Sequence, residues 1–293
     1  MRFFLVVVGL IGVSISGPVM AATAAPALAI ALWRNALAAI AIAPVALGRH
    51  RTELLSAPQR VWLMATFAGV MLAAHFGFWV TSLTLTSVAA AVALVAMQVL
   101  WVLVIQAFAG QRFNRAVVIG ALVAVSGVLF ITGVDFGLSP QALIGDLFAL
   151  LGGAFAAAYV VAGAHAREVF STTAYTFICY SVCALALVVV MLIFQVPLTG
   201  WTPKAWLLIV VVTIGAQLLG HSVFNHLLGV MSPVIVSLVL LLEVPLSAGI
   251  AALFLHESLP LASYFGLLLI LVGLGIVTKW SPSVPRNETL IGD

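Results

Sequence analysis

Residues 231–279 read MSPVIVSLVLLLEVPLSAGIAALFLHESLPLASYFGLLLILVGLGIVTK. Two apolar runs flank a short polar break at His256-Glu257-Ser258. Each run is close to the roughly 20 residues that a helix needs to cross a bilayer. Polar residues do not alternate along either run, so these are helices and not barrel strands. The stretch has an earlier counterpart. Residues 86–133 read TSVAAAVALVAMQVLWVLVIQAFAGQRFNRAVVIGALVAVSGVLFITG. An offset of 145 places Ser87 on Ser232, Gln98 on Glu243 and Gln111-Arg112 on His256-Glu257. After one inserted residue, Gly120 meets Gly266 and Gly127 meets Gly273. Upstream, Trp62-Leu63 resembles Trp206-Leu207 at an offset of 144.

The rest of the chain follows the same composition. Of its 293 residues, 65% are apolar and 6% charged. A soluble domain is about half apolar and about a quarter charged, and could not cover its surface with so few charges. The composition predicts a polytopic membrane protein and excludes a disordered chain, a nucleic-acid binder and a cytosolic enzyme. Polar and Gly/Pro-rich breaks divide it into ten spans: 3–22, 26–48, 60–82, 84–108, 116–133, 143–165, 173–195, 204–226, 231–255 and 261–279. The first span also resembles a cleaved signal peptide ending at Val19-Met20-Ala21-Ala22, but Gly9, Gly12 and Gly17-Pro18 suit a packed helix better. The polar tail from Trp280 to Asp293 is read as disordered. Cys179 and Cys183, four residues apart in one span, are read as packing residues and not as a disulfide.

Orientation follows from the cations. With both termini cytoplasmic, Arg2, Arg49, Arg51, Arg60, Arg112, Arg115, Arg167, Lys279 and Arg286 fall inside, and only Lys204 falls outside. That bias obeys the positive-inside rule and requires an even number of spans. The expected fold is therefore all-α and integral to the membrane: ten transmembrane helices as two inverted five-helix repeats. Their bounds are 1–138 and 139–279, followed by the tail 280–293. Five spans per repeat is odd, so the second repeat enters from the opposite side. Inverted repeats are a widespread transporter plan, with the substrate site near the midplane between them.

Ionisable residues inside the spans are few and hence informative. Glu243 and its counterpart Gln98 lie mid-span. Glu243 reads equally as a cavity group for an ammonium or a proton and as a protonated interhelical partner. Arg34 lies in the second span with a partner that spacing does not reveal. His75 and Trp79 are spaced to share a helix face, as are Gln217 with His221 and His221 with Asn225. With Phe78, Met97, Trp101, Tyr159 and Phe224 they form a candidate substrate cavity, mostly apolar and aromatic with a few convergent polar groups. Gly77, Gly220 and Pro245 are candidate hinges. There is no Walker loop, no paired-carboxylate motif and no metal spacing, so neither enzyme activity nor a cofactor or metal is expected. Arg34 alone at membrane depth disfavours phosphate-bearing cargo.

These residues resemble the drug/metabolite transporter superfamily, and within it the EamA-type ten-helix exporters. The resemblance rests on Trp33-Arg34-Asn35, Thr86-Ser87, Ser232-Pro233, Glu243-Val244-Pro245 and His256-Glu257-Ser258-Leu259. The family often has an adjacent Glu-Pro pair and a Gly-Glu-Arg loop. This chain departs by Val244 in the first, and by His256 and Ser258 in the second. The aromatic central helices look most similar to YddG-type exporters of aromatic amino acids. The resemblance implies metabolite export by alternating access in a bacterial-type inner membrane, with a cavity bounded by spans 1, 3, 4, 6, 8 and 9. The expected partners are a small-molecule substrate and the lipid bilayer, with the proton as a candidate coupling ion and a monomer or weak dimer as the assembly. A drug or nucleobase-type exporter, an integral-membrane enzyme and a passive channel stay open as alternatives.

Overall fold

The computed structural model describes residues 2–132, 139–254 and 262–280. The loop motif at His256, the repeat boundary at 138 and the tail beyond Trp280 lie outside them. Among the described residues every regular element is helical. The first segment is split into α1 (Arg2–Ser14) and α2 (Ser16–Ala21). Then come α3 (Ala27–Arg49), the short α4 (Arg51–Ser56) and α5 (Gln59–Ser82). The next apolar segment is again split, into α6 (Val88–Ala96) and α7 (Gln98–Phe108), and α8 (Arg115–Thr132) follows. The second half opens with α9 (Pro140–Ala166) and α10 (Thr172–Ile193). Its next segment runs through α11 (Pro203–Val212), a π-helical stretch over Thr213–His221, and α12 (Ser222–Leu227). The last elements are α13 (Pro233–Leu240), α14 (Glu243–Phe254) and α15 (Ala262–Trp280).

Seven of these helical stretches are long and apolar enough to cross a membrane, and three apolar stretches, at 115–127, 233–247 and 268–277, are shorter. The chain is a multi-pass membrane protein. Its outer surface agrees: Phe3, Leu55, Phe108 and Ile193 are exposed, a pattern that lipid accepts and water does not.

Local chemistry starts the helices where the sequence changes. Ser87 and Ser232, equivalent in the two halves, each accept a hydrogen bond from the third backbone N–H beyond them, at 3.1 Å and 3.3 Å. Ser139 and Thr202 cap α9 and α11 in the same way. Pro140, Pro203 and Pro233 follow these caps, at a helix position where a missing N–H costs nothing.

Small residues then set how the helices pack. α8 and α15 run antiparallel, and a Cβ at Gly120 would stand 2.9 Å from the Gly273 carbonyl oxygen. A Cβ at Gly127 would meet the Gly266 carbonyl and stand 2.9 Å from the Ile270 nitrogen. Gly120 is aligned with Gly266 and Gly127 with Gly273, so one contact is the other with the halves exchanged. That is the signature of a two-fold relation between the helices. A similar exchange links two other pairs. α1 packs on the π-helical stretch, with a Cβ at Gly12 placed 2.6 Å from the Gly215 oxygen. α9 packs on α5, with a Cβ at Gly152 placed 3.2 Å from the Trp79 Cβ.

The most demanding group in the core is Arg34, which is fully buried. Its Nε donates to Gln217 Oε1 at 2.8 Å, and its Nη1 to Ser16 Oγ at 2.9 Å and Met20 Sδ at 3.5 Å. The guanidinium also lies 4.3 Å above the Phe76 ring. Gln217 passes the network on by donating through Nε2 to Asn35 Oδ1 at 2.9 Å, and Asn35 donates to the Ala31 carbonyl. The Gln217 carbonyl, which takes the Ser222 backbone N–H, also accepts from Tyr180 Oη and Ser222 Oγ, at 3.2 Å and 3.1 Å. One glutamine therefore ties α3, α10 and α12 together. Cys179 and Cys183 are free and buried in α10, and a Cβ at Gly69 would stand 2.7 Å from the Cys179 carbonyl oxygen.

Two outcomes follow for purified protein in detergent. Gly273→Leu drives a side chain into Gly120 and Ala124 and lowers stability by about 1–3 kcal/mol or more. Gly48→Ala, with open space around it, is neutral. Equal melting temperatures for the two variants would refute the close α8–α15 approach. Gln217→Leu strips a buried guanidinium of a partner and destabilises by about 3–5 kcal/mol, whereas Gln217→Glu stays folded. Thermal unfolding followed by tryptophan fluorescence separates the two.

Candidate functional site

Both split helices break at the same place in their repeat. α6 ends and α7 begins with Gln98, and α13 ends and α14 begins with Glu243, the residue aligned with it. Proline does not cause the first break, because no proline lies in residues 86–108. In the second, Pro245 falls in the first turn of α14, where its missing N–H is tolerated. The break precedes the proline, so the bend expected at Pro245 sits at Leu241-Leu242.

A cleft of about 680 Å³, open mouth included, lies against these two breaks. Its wall is built from α1 and α2 (Val13, Ser16), α5 (His75, Trp79) and the α6–α7 junction (Val95, Ala96, Gln98). α9 adds Ala156, Tyr159 and Val160. His221, Phe224, Asn225 and Leu228 come from the segment around α12. Val236, Leu240 and Glu243 come from the second broken helix.

The polar groups of the wall are held in fixed roles. His75 Nδ1 lies 3.0 Å from the Gly152 carbonyl. A carbonyl only accepts, so Nδ1 carries the proton and Nε2 is left for the cleft. The imidazole stacks on Trp79, with centroids 5.5 Å apart and planes 12° apart. Tyr159 donates its hydroxyl to Asn225 Oδ1. Two further donor groups of this wall, Trp79 Nε1 and Asn225 Nδ2, are buried without a partner among the described residues. Glu243 is half-buried at the start of α14.

The residues expected from sequence divide accordingly. His75, Trp79, Gln98, Tyr159, His221, Phe224, Asn225 and Glu243 come together on the wall. Phe78, Met97, Trp101 and Gln217 do not. Phe78 turns the other way and stacks on Phe155 at 5.5 Å, with Phe148 edge-on at 5.3 Å. Met97 is the break residue itself. Trp101 is three residues past Gln98, about 60° round the helix, and is 42% exposed on the outer surface. Gln217, expected to share a face with His221 on the cleft wall, is instead engaged by Arg34 and Asn35.

Ser16 and the small apolar residues of α6 and α9 were missed. Their one sequence signal was Ser16-Gly17-Pro18, a break inside the first span. Arg167, expected at a membrane interface, is 1% exposed and donates to the carbonyls of Asn225 and Phe170. It holds the end of α9 against the wall residue Asn225. On the same side of that junction, Glu53 accepts from the Ser171 backbone N–H and pairs with His50 at 2.9 Å.

Comparison with known proteins fits this architecture. A solved crystal structure, described only as that of a protein, superposes with a TM-score of 0.76 at 19% identity, covering 95% of this chain and 96% of its own. That likeness establishes the fold. No curated protein matches the chain. The EamA-like transporter family matches residues 2–133 and, a second time, residues 143–279. The chain carries two copies of that unit and belongs to the EamA-like transporter family, within the drug/metabolite transporter superfamily.

Proposed function

We propose that this protein is a YddG-type secondary exporter of amino acids, with aromatic and other apolar ones favoured, and of related small metabolites. In this reading the chain has ten spans as two inverted repeats, lies in a bacterial-type inner membrane with both termini cytoplasmic, and works by alternating access. The observation that carries the reading is the composition of the cleft. It is mostly apolar, has the His75–Trp79 stack on one wall, and holds a carboxylate, Glu243, at a helix break. An aromatic stack offers a planar apolar side chain about 0.5–1.5 kcal/mol beyond simple burial. A carboxylate in a nearly uncharged wall selects a cationic group. Discontinuous helices at the centre of inverted repeats are where such transporters hold their substrates. The antiparallel, self-complementary α8–α15 contact supports the inversion.

Counterflow tests this directly. Proteoliposomes loaded with unlabelled Phe, Trp, Thr or Met are expected to accumulate labelled Phe, saturably and faster than unloaded vesicles. No counterflow with any amino acid would overturn the substrate assignment, and drug resistance conferred on a sensitive strain would then favour a drug exporter. Among variants, Trp79→Ala is expected to cut counterflow about tenfold, the loss of one aromatic contact. Trp101→Ala, on the outer surface, leaves it unchanged. The reverse order would place the site outside the cleft.

A further inference from the structure

We propose that Ser16, backed by the buried Arg34 guanidinium, holds the carboxylate of the solute, beside the Glu243 carboxylate that holds its ammonium. The two together form a receptor for the zwitterionic head of an α-amino acid. The inference rests on the amino-acid reading above and assigns it to atoms.

Arg34 is the starting point. Its partners Gln217, Ser16, Met20 and Phe76 are all neutral, and Nη2 is buried with no partner. Among the described residues the ion pair formed is His50–Glu53, which does not involve it. A guanidinium costs several kcal/mol at membrane depth unless its charge is answered. Hydrogen bonds to neutral groups satisfy its geometry, and Glu243 attracts it only from beyond ion-pair distance. A purely structural role would be served at lower cost by a neutral amide.

Ser16 carries that charge to the cleft. Its Oγ accepts from Arg34 Nη1, and the same residue lines the cleft. Accepting from a cation makes a hydroxyl a stronger donor, and among the described residues no acceptor takes the Ser16 proton. Glu243 is close by. α2 packs on α14, and a Cβ at Gly17, next to Ser16, would stand 3.5 Å from Ser247 Oγ, one turn beyond Glu243. The wall thus carries both a donor backed by positive charge and an acid, on two elements that pack together. An α-amino acid bears its carboxylate and ammonium on one carbon, so its head presents the complementary pair at short range. A plain amine leaves Arg34 unanswered, and a plain acid meets Glu243 with a like charge.

The test is inhibition of labelled Phe counterflow by phenethylamine, 3-phenylpropionate, phenylalaninamide and unlabelled Phe. In the wild type, Phe is expected to inhibit about tenfold to a hundredfold better than any analogue that lacks one charge, the worth of a charge-assisted hydrogen bond. Ser16→Ala is expected to weaken Phe by about tenfold and leave phenethylamine unchanged, collapsing the ratio, while Ser16→Thr restores it. A merely structural serine would weaken both ligands together. Arg34→Gln, if it folds, is expected to act like Ser16→Ala, and the serine pair decides the matter if it does not. Equal inhibition by Phe and phenylalaninamide in the wild type, or an unchanged ratio in Ser16→Ala, overturns this inference while amino-acid export stands. Absence of any amino-acid counterflow overturns both.

Discussion

The structure depends on how one positive charge is kept inside an apolar bundle. Arg34 is fully buried, and the residues that accept its hydrogen bonds come from two other apolar segments, Ser16 in the first and Gln217 in the eighth. Gln217, within the π-helical stretch, serves Arg34 and Asn35 at once. Its carbonyl takes the Ser222 backbone N–H and also accepts from the Tyr180 and Ser222 hydroxyls. A distortion that would cost free energy in isolation is thus fully hydrogen-bonded. The residues that follow Gln217, His221, Phe224 and Asn225, line the cleft. The charge network behind the wall and the composition of the wall are parts of one arrangement.

Close packing of backbones is the second constraint. In lipid no hydrophobic force drives helices together, so contact depends on how near their backbones can come. The glycines of α8 and α15 achieve that approach in a pattern that maps onto itself when the halves are exchanged. Gly12 on α1 and Gly152 on α9 do the same against the two helices that face each other across the cleft. Duplication of one unit explains why these contacts come in pairs. It explains equally why the two helix breaks fall at aligned residues, although only one has a proline nearby.

Much of this was legible in the sequence, and the limits have physical causes. Apolar runs and their polar breaks reveal membrane helices because bilayer thickness fixes span length. The alignment of Gln98 with Glu243 pointed to two residues that both line the cleft, at the two helix breaks. The rule that residues four apart share a face placed His75 and Trp79 correctly on one wall. The same rule grouped Gln217 with His221, yet Gln217 is taken up by Arg34 and Asn35, which spacing along one helix does not reveal. Trp101 failed for a related reason. It was grouped with Met97 and Gln98 by helical spacing, yet it is 42% exposed and not on the cleft wall. Ser16 was passed over because a serine in an apolar run ordinarily bonds the preceding turn. Only the tertiary position of Arg34 gives it another role. The partner of Arg34 could not be read at all, as it lies 183 residues away.

The breaks are kept open by their neighbours. A Cβ at Gly153 of α9 would stand 2.8 Å from the Val95 carbonyl oxygen, so glycine is what allows α9 to pack on the end of α6. The carbonyls released there face a helix surface that has room for them. A straight helix through Met97 would move Gln98 round the axis and away from the wall it now lines. Binding groups and bending points therefore coincide at the start of α7 and again at the start of α14. In the proposed cycle this coincidence has a use. A solute that engages Glu243 acts on the residue whose helix must change direction when access switches sides, so its binding free energy falls directly on the element that moves. A site placed on continuous helices would need a separate path from ligand to bend. Here the path has no length, and the scarcity of other charges at that depth keeps the response specific to the solute's own.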